Sequence, residues 1–76
     1  MEFNRISVNP YQMGGVPCIR GLRIPVSTIL SLLSEKLTTD EIISMYPDLE
    51  KDDISEALVF ASLAVSEREL PLIKTR

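Results

Sequence analysis

The chain has 76 residues, a formal net charge of -3, no histidine and one cysteine, with 45% of its residues hydrophobic and 25% charged. That length holds one domain with a small core, and that balance excludes a chain that is disordered throughout. No apolar run approaches the roughly 18 residues of a bilayer span, so membrane-spanning classes are excluded as well.

The charge is unevenly placed. Residues 1–34 carry +2, residues 35–69 carry -7 and residues 70–76 carry +2. An acidic middle between basic ends is a poor global footprint for nucleic acid, although local basic patches remain. The start, Met1-Glu2-Phe3-Asn4-Arg5, lacks a signal-peptide layout, and one cysteine makes no internal disulfide; both lead us to expect a cytoplasmic protein.

In chain order, Arg5-Ile6-Ser7-Val8 alternates polar and apolar and predicts a first strand, stopped by Asn9-Pro10. A loop with Gly14-Gly15 leads into residues 16–26, where Pro17 and Pro25 push Val16 and Ile24 towards extended backbone. Between them Cys18-Ile19 and Leu22-Arg23-Ile24 read as two very short strands around Arg20-Gly21. Gly21 takes a positive φ there without steric cost, so the chain reverses in about two residues. Pro25 then presets a helical φ where a helical pattern begins.

The first predicted helix covers 26–35, with Val26, Ile29, Leu30, Leu33 and then Leu37 on one face. The second covers 39–46 and buries Ile42, Ile43 and Tyr46. Thr38 with Glu41 three residues on is a capping-box pattern, and Pro47 ends the helix. The third runs from Lys51 to about Glu69, favoured at its start by Asp52 and Asp53. Its first half is amphipathic on Ile54, Ala57, Leu58 and Ala61. From Ala57 to Val65 it is apolar nearly all round, leaving Val59, Phe60 and Leu63 to point away from the domain's own core. The expected architecture is one α+β domain over 1–76. It comprises a small N-terminal sheet in 1–25, a three-helix, helix-turn-helix-like unit in 26–69 and an extended tail in 70–76.

The side-chain inventory argues against catalysis. A nucleophilic Cys18 needs a base, and no histidine is present; the plainer reading is a small residue packed in a strand. One sulfur without imidazole makes no zinc site, and Asp48, Glu50, Asp52 and Asp53 lack the ligand order of a calcium loop. We therefore expect a non-enzyme with no catalytic residues, no metal site, no cofactor and no small-molecule substrate.

Gly15-Val16-Pro17-Cys18-Ile19-Arg20-Gly21 followed by Arg23-Ile24-Pro25-Val26 resembles the signature of the small bacterial domain-of-unknown-function family four-thirty-three. The pattern continues in Glu41-Ile42, Tyr46-Pro47, Asp53-Ile54 and Ala57-Leu58, so the resemblance extends from about Arg5 to Leu72. It implies a dimeric helix-turn-helix-like domain, often encoded beside a PIN-like nuclease toxin and taken as its antitoxin. Leu22, Lys36 and Glu50 stand where the family usually has threonine, glycine and threonine. Lys36 in place of glycine implies an ordinary helical or turn backbone, or strain if a positive-φ cap is kept.

The leading expectation is an antitoxin-type inhibitor of a PIN-like ribonuclease, with autorepression of its operon as a secondary role. The alternative is a stand-alone dimeric DNA-binding regulator. The candidate toxin-binding residues are Phe60 and Leu63 with the tail residues Leu70, Leu72, Ile73, Lys74 and Arg76. That tail offers a cation on an apolar strap to a carboxylate-lined nuclease site. Arg5, Arg20, Arg23 and Lys36 are the candidates for DNA-phosphate contact, against the plainer reading that Arg20 and Arg23 hold the corner by bonding to backbone or acids. The acidic start of the third helix would repel phosphates. Ile6, Val8, Val59 and Phe60 are the candidates for a homodimer interface.

Overall fold

The computed structural model describes residues 3–66, and the tail candidates Leu70, Leu72, Ile73, Lys74 and Arg76 lie outside them. Two short strands, β1 (Ile6–Val8) and β2 (Pro17–Ile19), are followed by helices α1 (Val26–Ser34), α2 (Thr39–Met45) and α3 (Lys51–Ser66). A single 3-10 turn, Met13–Gly15, interrupts the loop between the strands. The strands pair antiparallel with Ile6 opposite Ile19, Ser7 opposite Cys18 and Val8 opposite Pro17. This is the expected α+β arrangement.

After β2 the chain reverses over Arg20 (φ 44°) and Gly21 (φ 73°), and Leu22 donates its N–H to the Ile19 carbonyl at 2.7 Å. Two successive positive φ values with that bond make the turn whose twist suits a hairpin. The expected return strand over 22–24 does not form. It is reduced to a bridge between Cys18 and Pro25, with the Ile19 N–H on the Ile24 carbonyl at 3.0 Å. Pro25 has no N–H to extend a ladder, and α1 begins at the next residue.

Each helix end has a local cause. Pro25 stands just before α1 with ψ 149°, so the helix proper starts at Val26 rather than at the proline. At the other end Lys36 keeps a left-handed φ of 70°. Its N–H reaches the Leu33 carbonyl at 2.9 Å and that of Leu37 reaches the Leu32 carbonyl at 3.3 Å. These are the two bonds of a Schellman cap, here closed without glycine. The expected capping box opens α2: the Glu41 N–H donates to Thr38 Oγ1 at 3.1 Å, and the Thr38 N–H to Glu41 Oε1 at 2.7 Å. Pro47 then keeps Tyr46 out of helical geometry, at φ -128° and ψ 82°.

The core is Ile19, Val26, Ile29, Ile42, Leu49, Ile54 and Ala57, drawn from the strand, all three helices and the turn before α3. Fully burying one such aliphatic side chain contributes about 1.5–3 kcal/mol, so few residues carry this fold. Two expectations for α3 are corrected. Leu58 stands 48% exposed at the edge of the core face, and Phe60 folds back against the core instead of pointing away. The ring of Phe60 meets that of Phe3 edge-on with centroids 5.3 Å apart. Phe3, arriving from the N-terminal segment, covers a side of α3 that helical periodicity alone leaves bare.

Candidate functional site: helix α3 and the arginine clasp at its start

The N-terminus of α3 is built around a buried carboxylate. Asp53 sits at the third position of the helix with no solvent exposure. One oxygen, Oδ1, accepts from Arg5 Nη1 at 2.9 Å and from Arg20 Nε at 3.0 Å. The other, Oδ2, accepts from Arg20 Nη2 at 2.9 Å and from the Glu50 N–H at 2.8 Å. The last of these is half of a capping box; the other half is absent because the Glu50 side chain turns to Arg5 Nη1 at 2.7 Å. Arg20 Nη2 also donates to the Asp48 carbonyl at 2.6 Å, and the Arg5 N–H donates to Glu56 Oε2 at 2.7 Å. One carboxylate thus ties the edge of β1, the turn after β2 and the start of α3 together.

The electrostatics follow from the geometry. Burial opposes ionisation of Asp53, but the hydrogen bonds from Arg20, the Glu50 N–H and Arg5 outweigh it and hold the carboxyl at about 2, below its ordinary 3.8. Arg5 is held more firmly protonated by its bonds to Glu50 and Asp53, and Arg20 by its bonds to Asp53. No buried side-chain polar atom among the described residues lacks a hydrogen-bond partner.

This arrangement locates the expected phosphate contacts. Arg5 and Arg20 turn onto carboxylates, as the plainer reading of Arg20 has it. Arg23 and Lys36 are exposed, and neither forms an ion pair among the described residues. Of the exposed charges beside the clasp, Asp48, Glu50 and Asp52 are acidic, while Lys51 is basic and lies 3.8 Å from Asp40 Oδ1. Sequence reading assigned Asp53 to the helix dipole and missed its pairing. A signal was present: Arg20 and Asp53 both belong to the family-like pattern, and the fold brings those two together. Cys18 is buried, its Sγ 3.5 Å from the Val16 carbonyl, and among the described residues no three His, Cys, Asp or Glu side chains are grouped to hold a metal ion.

Beyond the clasp, α3 changes character. All its charges lie within Lys51, Asp52, Asp53 and Glu56, and the helix from Ala57 to Ser66 has none. Leu58 at 48%, Val59 at 38%, Leu63 at 38% and Val65 at 61% exposure are its uncovered apolar side chains, with Ser62 between Leu58 and Val59 around the helix. Of the dimer candidates, Val8 is 59% exposed on β1, Ile6 is half-buried and Phe60 is engaged with Phe3.

A two-stranded corner clasped to three helices, with α2, a short turn and α3 in helix-turn-helix order, defines a small α+β domain. The chain belongs to the family described as "Protein of unknown function (DUF433)", whose pattern matches residues 6–61. It is similar to a DUF433 member protein from Anabaena variabilis of known crystal structure, at 30% identity and a TM-score of 0.78. The match covers 84% of this chain and 63% of that one, so the chain spans less than two thirds of that relative's length. No curated protein matches the chain.

Proposed function

We propose that this chain is an antitoxin-type inhibitor that binds and neutralises a PIN-like ribonuclease and catalyses nothing itself. The observation that carries the reading is the outer face of α3, where Leu58, Val59 and Leu63 stand exposed on an uncharged half-helix. Exposed aliphatic side chains grouped around Ser62 on one side of a helix suit a protein contact, in which a solvent-accessible polar rim surrounds an apolar centre. The family resemblance supplies the class of partner. The tail sequence, with Lys74 and Arg76 behind Leu70, Leu72 and Ile73, suits the carboxylates of a metal-dependent nuclease site.

The test uses a PIN-like ribonuclease encoded in the adjacent reading frame, purified alone and mixed with this chain. The expected result is stoichiometric loss of RNA cleavage, weakened at least tenfold by Leu63→Asp and by deletion of residues 70–76. Unchanged cleavage at excess chain, or the absence of such a frame, overturns the reading. The second reading is a DNA-binding regulator, favoured by the helix-turn-helix order of α2 and α3. The acidic start of α3 and the engagement of Arg5 and Arg20 with carboxylates weigh against it. Salt-sensitive binding of operator DNA by the chain alone would favour it.

A further inference from the structure

An apolar groove lies between α3 and α1. There Phe60, Ala61, Ala64 and Val65 face Val16 and Leu30 across an open space of about 300 Å³. No residue lining it is charged, and Ser27 alone is polar through its side chain. That volume is at the lower end of a ligand pocket's, so the groove takes a few side chains and not a whole helix. Its α3 wall ends at Val65, which is 61% exposed and stands next to the last residue of the helix, Ser66.

We propose that the chain's own segment Leu70-Pro71-Leu72-Ile73 occupies this groove, folded back against the end of α3. Three observations select it over a separate molecule. The first is position. Val65 lines the groove, α3 ends at Ser66, and the apolar run begins after only Glu67, Arg68 and Glu69. A run tethered that closely is present at an effective concentration on the order of millimolar, ahead of a free partner of the same chemistry. The second is reach. From Val65 back to Phe60 is about 7.5 Å of helix axis, and residues 70–73 extend over about 13 Å, which leaves 67–69 to reverse the chain.

The third is chemistry. Pro71 cannot continue a helix, and it holds Leu70 extended, so Leu70 and Leu72 fall on one side of the segment. The run carries no charge, as the groove carries none. Its flanks are charged, with Glu67, Arg68 and Glu69 before it and Lys74 and Arg76 after it. Docked in this register, the run leaves all of those charges in water. A shift of one residue either way brings Glu69 or Lys74 against the apolar lining, so only one register escapes that cost. The inference concerns the free chain and does not rest on the ribonuclease reading. A docked tail withholds Leu70 and Leu72 from other contacts, so any partner that binds through them must first displace them.

Methyl–methyl NOEs in the full, isotope-labelled chain test it. They are expected from Leu70 and Leu72 to Leu30, Ala61 and Ala64. Ala64→Glu puts a charge on an exposed part of the groove wall and should abolish them. Leu72→Asp, outside the core of the domain, should abolish those of Leu70 as well and decides the test should Ala64→Glu fail to fold. Ser62→Glu, exposed but not lining the groove, should leave them intact, and circular dichroism confirms that each variant is folded. A wild type without these NOEs overturns the proposal, as do NOEs that survive either groove-directed variant. So do NOEs seen only between labelled and unlabelled chains in a mixed sample, which would assign the groove to a second copy's tail.

Discussion

Replacing Asp53 with asparagine asks how much the clasp contributes to folding. Asparagine keeps the shape but removes the charge and turns one of the two oxygens into a donor. Whichever way the amide is oriented, that nitrogen faces two donors: Arg5 Nη1 and Arg20 Nε on one side, or Arg20 Nη2 and the Glu50 N–H on the other. The lowering of the carboxyl from 3.8 to about 2 corresponds to about 2 kcal/mol of stability at neutral pH. The donor conflict adds to this. The arginine side chains retain 28% and 33% exposure, so water recovers part of the loss, and the total falls near 3 kcal/mol rather than at the upper end for a broken buried pair. For a domain of this size that is a fall in Tm of roughly 12–24 °C.

Urea unfolding at fixed protein concentration measures the loss directly. A second readout comes from pH. Because the folded pKa of Asp53 lies below its unfolded value, its contribution is complete above the unfolded value and disappears as pH falls towards the folded one. Wild-type stability should therefore decline between about pH 5 and pH 2, and this component of the slope should be missing in Asp53→Asn. A destabilisation under about 1 kcal/mol, or parallel pH profiles for the two proteins, would refute the assignment of Asp53 as the clasp.

Two further substitutions probe the helix ends. Lys36→Gly should stabilise the domain by about 1 kcal/mol, read as a rise in Tm of a few degrees, because Lys36 occupies a left-handed Schellman position that glycine adopts without steric cost. An unchanged or lowered Tm would show that the lysine side chain compensates for its backbone. Thr38→Ala removes the acceptor for the Glu41 N–H and should cost about 1 kcal/mol in urea titrations. Thr38→Ser should restore most of it.

The regular elements were legible because their signals lie within a few residues of one another. The spacing of Val26, Ile29 and Leu30, the Thr38–Glu41 pair and the stop at Pro47 all act across one or two helical turns. Local chemistry alone therefore places α1 and α2. The turn at Arg20-Gly21 was readable for the same reason. Where local rules compete, reading failed. The alternation in 22–24 suggested a strand, but Pro25 and the immediate start of α1 leave only a bridge. Periodicity pointed Phe60 away from the core because the deciding contact comes from Phe3, far along the chain.

The candidate site divides along the same line. The uncharged second half of α3 is a property of its composition, and the sequence by itself determined that this helix has more apolar surface than its own domain can cover. Which of those residues remain uncovered was decided by the tertiary structure, which buries Ala57, half-buries Phe60 and Ala61, and leaves Leu58, Val59, Leu63 and Val65 exposed. The clasp belongs wholly to the tertiary level. Arg5 and Arg20 are 48 and 33 residues from Asp53, and nothing local distinguishes an arginine destined for a buried carboxylate from one that faces solvent. Helix and turn preferences are short-range energies written into neighbouring residues. A buried ion cluster exists only once the fold has removed its carboxylate from water and brought its partners within hydrogen-bonding distance.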